Sequence, residues 1–88
     1  MKGAGTAFLA AVGLRIRLLR TAQRLSQDRL AELAKLSRVT LGSIERGNHE
    51  AGILSFRALA VALDVPLASL FEDSTDLDLL VRRCTRQR

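Results

Sequence analysis

Apolar residues recur at helical spacing along most of this chain, and the clearest two stretches lie between Ser26 and Gly47. Ser26 precedes the run Leu30, Ala31, Leu33 and Ala34. Its hydroxyl is therefore placed to accept from the orphan N–H groups of a helix start, and Asp28 adds negative charge where the helix dipole favours it. Lys35, Leu36 and Ser37 break the period, which predicts a turn of about three residues. Ser37 is a second N-cap; Leu41 and Ile44, three apart, give the next helix its buried stripe, and Gly47 ends that helix in a left-handed conformation. Towards the N-terminus, Thr6 to Val12 extends a first helix that continues through Leu14 and Leu18. It shows Phe8, Leu9 and Val12 on more than one face, so some of that surface needs a partner. Towards the C-terminus, Ser74 or Thr75 caps a last helix with Asp76 and Asp78 near its start, Arg82 and Arg83 near its end, and Leu77, Leu80 and Val81 as its stripe.

The face opposite Leu41 and Ile44 carries Arg38, Val39, Gly42, Ser43 and Arg46. That set mixes hydrogen-bonding groups, a small apolar contact and a glycine that permits close approach, which suits base edges and phosphates. Arg38, at the helix start, can fork onto guanine O6 and N7; Val39 can pack on a thymine methyl or equally shield the core edge, and Ser43, four residues on along the same face, can touch a base or a phosphate. Thr40 either bonds a phosphate or back-bonds within its helix. Arg46, at the helix end, is better placed for a backbone than for a base edge, and there it would position the helix.

These residues resemble the Cro and phage-repressor type of helix-turn-helix protein, the XRE family. The pattern appears as Ile16-Arg17, Leu25-Ser26-Gln27, Leu30-Ala31 and Ile44-Glu45-Arg46-Gly47, with spacings that fit without gaps. Ile53, Phe56, Leu59, Ala60 and Leu63 are similar to the family's fourth helix, and Val65 to Phe71 to its short fifth. The resemblance covers roughly residues 13 to 72 and implies an all-α, five-helix, lambda-repressor-like domain, here with an additional C-terminal helix. It also implies that Gln27 contacts a phosphate or a base edge from the start of the second helix, and that Arg20 and Glu45 form a buried or half-buried ion pair. Ser37, Thr40 and Asn48 join Gln27 and Arg46 as phosphate or positioning residues. The chain departs from the family at Arg24, commonly Gly, and at Arg29, commonly Glu, so the capping box of the second helix is missing. Asp64 stands where Gly often closes the fourth helix, a mild change because Asp tolerates a left-handed backbone. The loop Asn48-His49-Glu50-Ala51 is poor in the basic residues that relatives place there.

Length and composition agree. A chain of 88 residues holds one domain near the size where a single core is marginal, so its 48% hydrophobic content must be used efficiently. Three Phe, no Trp or Tyr and a predominance of Ala, Leu and Arg leave no strand signature. The expected division is a helix-turn-helix domain over 1–73 and a helical tail over 74–88. Charge is unevenly placed: Met1 to Arg46 holds nine basic and three acidic side chains, Gly47 to Val81 one and six, and the last seven residues four arginines. The basic half is the one holding the motif, where Lys and Arg neutralise phosphates and release counterions.

The single cysteine, Cys84, excludes an internal disulfide and a cysteine-cluster zinc site, fits a reducing cytosol, and is read as an inert thiol. His49 has no ligand partners in the sequence and is read as a solvated loop residue, so neither a metal nor a cofactor is expected. One His, one Cys and scattered carboxylates give no nucleophile–base constellation, which argues against an enzyme. The apolar run Ala7 to Val12 is too short for a signal sequence and leads into Arg15 and Arg17, and no stretch reaches the roughly 20 apolar residues that cross a bilayer. The expectation is a cytoplasmic, bacterial or phage-encoded regulator, bound to the nucleoid when on double-stranded DNA. Readers of this kind usually bind inverted half-sites about one helical turn apart, so a homodimer repressor or autoregulator is expected, with Leu67, Leu70 and Leu77 as candidate dimer contacts; packing of these apolar residues within one chain is the alternative. The alternative is an antitoxin that autoregulates its operon and binds a toxin partner; a third reading is a protein-interaction adaptor without a DNA role.

Overall fold

The computed structural model of the chain describes residues 2–72, which form α1 (Lys2–Ala22), α2 (Gln27–Ala34), α3 (Arg38–Glu45), α4 (Ile53–Leu63) and α5 (Leu67–Phe71). The tail helix expected from Ser74 onward, with Leu77 and Cys84, lies outside the described residues. Helix α1 starts four residues before Thr6, and no helix among the described residues is long and apolar enough to cross a membrane.

Both serine caps form. Ser26 Oγ accepts from the N–H of Arg29 and Ser37 Oγ from the N–H of Thr40, each at 3.0 Å. The helix ends share a second device, in which one residue turns left-handed and its own N–H and that of the following residue bond back to the last turn. Arg24, Lys35 and Asp64 adopt φ of 60°, 60° and 61°, and Gly47 a φ of 76°. The N–H groups of Leu25, Leu36, Asn48 and Val65 then donate to the carbonyls of Arg20, Ala31, Ser43 and Ala60. These are Schellman closures, and only Gly47 makes its turn without a Cβ penalty. Arg24 keeps the left-handed turn although it lacks the glycine common in relatives, because α1 must stop there for Leu25 to reach the core.

The core is built from one stripe of each helix: Val12, Ile16 and Leu19 of α1, Leu30, Ala31 and Ala34 of α2, Leu41 and Ile44 of α3, Phe56, Leu59, Ala60 and Leu63 of α4, and Leu70 of α5. Each fully buried large side chain contributes about 1.5–3 kcal/mol. Leu70 is 0% exposed, so the dimer role expected for it is corrected: its side chain is committed to the protomer's own core. Leu67 is half-buried against that core. The N-terminal extension of α1 also finds intramolecular partners. Phe8 lies 6.2 Å, ring centre to ring centre, from Phe71, which meets Phe56 edge-on at 5.4 Å, so the chain's three Phe link α1, α5 and α4. The amide Nε2 of Gln23 donates to Leu63 O at 2.6 Å and ties the end of α1 to the end of α4.

Two glycines let α1 lie directly on α3. A Cβ on Gly13 would collide with the carbonyl oxygen of Ile44 and stand 2.6 Å from that of Glu45. A Cβ on Gly47 would stand 2.7 Å from Ala10 Cα. Backbone therefore meets backbone at both places, and the C-terminal end of α3 rests against α1 with no side chain between.

Candidate nucleic-acid interface

Helix α3 is eight residues long, too short to persist alone, and its position is set by what it buries. Leu41 and Ile44 face the core, while Glu45 turns towards α1 with its side chain 3% exposed. There it is satisfied from two elements. Arg20 donates from Nε to Oε2 at 2.7 Å and from Nη2 to Oε1 at 3.2 Å, and Gln27 donates from Nε2 to Oε1 at 3.0 Å. Arg20 Nη1 also donates to Leu25 O at 2.8 Å. This two-pronged, charge-assisted contact joins α1, the loop after it, the first turn of α2 and the last of α3.

The outward side of α3 carries Arg38 and Val39, both exposed, and the half-buried Thr40 and Ser43, with Arg46 exposed at its end. Val39 is 75% exposed, an apolar side chain held in water by its position on the helix. Arg38 Nε stands 3.2 Å from Asp28 Oδ1 on the first turn of α2. Arg46 folds back along the helix: its Nη2 donates to Ser43 Oγ at 3.3 Å, and a Cβ on Gly42 would lie 3.2 Å from its Nη1. Gly42 is buried, so its small size makes room for the Arg46 guanidinium; it is not the open point of approach that the sequence suggested.

Three other expected contacts have internal partners. The Gln27 amide points inward to Glu45 and not outward, because Glu45 lies beside the start of α2. Ser37 Oγ donates to Thr40 Oγ1 at 2.8 Å, which ties these two hydroxyls together at the start of α3. Asn48 is exposed on the turn after α3, as is His49 beside it.

Arg17, Arg20, Gln27, Glu45 and Arg46 line an open cleft of about 420 Å³ beside the ion pair. Three guanidinium groups face one carboxylate there, and Arg17 and Arg46 are exposed at its edge. Arg17 has no role in the sequence reading beyond its place in the motif. The signal that finds it is helical spacing: it stands one turn before Arg20 on α1. Arg17 and Arg46 thus put exposed cations beside the C-terminal end of α3, and Arg38 puts another at its start.

A family model described as helix-turn-helix, HTH_3, matches residues 16–70. The chain belongs to the HTH_3 family. The five helices of the described residues have the lambda-repressor-like arrangement of that family's solved members. The HTH_3 chain is similar to the restriction-modification controller protein C.AhdI of Aeromonas hydrophila, at 43% identity and a TM-score of 0.72 over 74% of this chain and 98% of that one. It is also similar to an HTH_3 family transcriptional regulator of Vibrio cholerae, at 28% identity and a TM-score of 0.74 over 88% of this chain. Among curated proteins it is 36% identical over 64 residues to an immunity repressor protein of Bacillus phage phi105. The match spans 44% of the phage repressor and 42% of the Vibrio regulator, less than half of either.

Proposed function

We propose that this HTH_3 chain is a sequence-specific double-stranded DNA-binding transcriptional regulator, a repressor or autoregulator, that places α3 in the major groove. The observation that carries the reading is the exposed face of α3, with Arg38, Val39 and Ser43 outward, on a helix anchored by the buried Arg20–Glu45 pair and bordered by a cationic cleft. Arg38 reads guanine, Val39 a thymine methyl, and Ser43 a base edge or an adjoining phosphate. Arg17 and Arg46 take backbone phosphates at the cleft. Ser37, Thr40 and Asn48 steady the helix ends beside the backbone, and Gln27 acts by orienting Glu45 and closing the cleft floor. The named relatives, a controller protein, a repressor and a transcriptional regulator, support this reading, and no observation favours the antitoxin one.

In the same reading, residues 1–73 are the DNA-binding unit and 74–88 contribute to a homodimer on an inverted repeat. Leu67 and Leu77 stay as contacts; Leu70 does not. The apolar side chains of Ile53, Leu54 and Val61, exposed on α4, support a surface that a second copy covers.

The deciding experiment is selection of bound duplexes from a random DNA library at physiological salt. An enriched inverted repeat, lost on Arg38→Ala, is the expected outcome. Recovery of no preferred sequence would remove the regulator reading and leave the protein-interaction adaptor. Sedimentation of the free protein at micromolar concentration is expected to show a dimer, and a persistent monomer would remove that part.

A further inference from the structure

Asp28 and Arg38 form an ion pair that the fold does not need. Both side chains are well exposed, at 77% and 64%, and an exposed pair of this kind adds little to stability. Arg38 is the first residue of α3, at the positive end of the helix dipole, so its charge is locally unfavourable there. Asp28 in turn brings a carboxylate to the surface proposed to face phosphates, which repels DNA of any sequence. Asp28 suits the start of α2 and Arg38 suits a surface that faces phosphates, but neither preference requires that the two charges be paired with each other.

The geometry suggests what the two do together. The carboxylate stands 3.2 Å from Nε, the inner nitrogen of the guanidinium, as a charge contact on that side of the group. The terminal pair, Nη1 and Nη2, is the fork that matches guanine O6 and N7. A free arginine has many rotamers and grips a phosphate as readily as a base edge; one whose inner edge is held by a carboxylate presents its terminal fork along the side-chain axis. The pair also strengthens as DNA displaces water from around it. The short turn over Lys35, Leu36 and Ser37 fixes this arrangement by holding the first turn of α2 beside the first residue of α3.

We propose that Asp28 is a positioning residue for base reading: its carboxylate aims the Arg38 guanidinium at a guanine and keeps it off the phosphates, giving up general affinity for discrimination. This rests on the reading of α3 as the groove helix. The pair thus sets specificity from outside the recognition helix.

The test uses the full chain and the duplex enriched from the random library, together with duplexes changed singly at each base pair. Asp28→Ala is expected to leave the melting temperature nearly unchanged and to bind unrelated DNA as tightly as wild type or more tightly. Its preference for guanine at the Arg38 base pair is expected to fall by about fivefold or more, with preferences at other pairs kept. In an Arg38→Ala background the same Asp28→Ala change is expected to alter no base preference. If Asp28→Ala tightens all sequences evenly and keeps the guanine preference, Asp28 is only a repulsive surface charge and the proposal fails. If its effect persists without Arg38, Asp28 reads a base directly and the proposal also fails. Should Arg38→Ala itself leave every preference intact, it is the groove assignment of α3 that fails, and the positioning role goes with it.

Discussion

Removing Arg20 or Glu45 singly should damage the fold more, relative to removing both, than independent contacts would allow. Glu45 is 3% exposed and Arg20 11%, so each charge depends on the other for most of what water would supply. Arg20→Met strips Glu45 of two of its three donors and leaves only Gln27 Nε2. Breaking a buried pair from one side costs about 3–5 kcal/mol, and the retained Gln27 contact places this case near about 3. Glu45→Leu strands the guanidinium, but Arg20 keeps Leu25 O and has some access to water, so about 2 kcal/mol is expected. The double replacement leaves no charge behind; it orphans the Leu25 carbonyl and the Gln27 amide, worth about 1 kcal/mol each. It should therefore lose about 2 kcal/mol where independent effects would lose about 5, a coupling of about 3. At about 4–8 °C per kcal/mol for a domain of this size, Arg20→Met should melt about 12–24 °C below wild type and the double variant about 8–16 °C below. The chain has no Trp or Tyr, so far-UV circular dichroism is the suitable signal. A double variant whose loss equals the sum of the singles, or three equal and negligible losses, would refute the reasoning.

Gly13→Ala should lower stability by about 2 kcal/mol in the same melting assay, because its Cβ meets the backbone of Ile44 and Glu45, and overpacking outweighs the roughly 1 kcal/mol of helix propensity that alanine brings. A higher melting temperature would mean that α1 and α3 are not so closely apposed. Arg24→Gly should do the opposite and stabilise by about 0.5–1 kcal/mol, since φ of 60° suits glycine; a loss would point to a packing role for the arginine side chain. Arg17→Ala and Arg46→Ala should each weaken binding to all duplexes and lower the slope of log affinity against log salt by about 0.9, the signature of one lost phosphate contact. An unchanged slope for either variant would take that residue out of the phosphate set.

What could be read from the chain was what depends on neighbours in sequence. Ser26 and Ser37 announce helix starts because a cap is satisfied within three residues, and Gly47 announces an end because its backbone freedom is intrinsic. Features set by distant segments could not be read the same way. Gly13 looks like an ordinary helix residue until Ile44 and Glu45 are laid across it. Gln27 looks outward until Glu45 is brought beside it, and Gly42 looks open until Arg46 folds over it. Leu70 shows why an apolar stripe is ambiguous: periodicity says that a residue is buried but not whether its own chain or a second copy buries it. The left-handed Arg24 and Lys35 were hidden for another reason, since tertiary demand for Leu25 and Leu36 in the core overrides local preference.

These distant contacts meet at one place, the C-terminal end of α3. Gly13 sets how closely α1 can approach it, the Arg20–Glu45 pair fixes its lateral position, and Gly47 lets the chain turn away against Ala10. An eight-residue helix has almost no stiffness of its own, so the direction in which Arg38, Val39 and Ser43 point is inherited from the helices it packs on, α1 and α2. Packed backbone is not continuously deformable, and a substitution that lifts α1 from α3 tilts the whole reading face. If α3 is the groove helix, as proposed, residues of α1 that need never touch DNA, Ala10 and Gly13 above all, set where its outward side chains point.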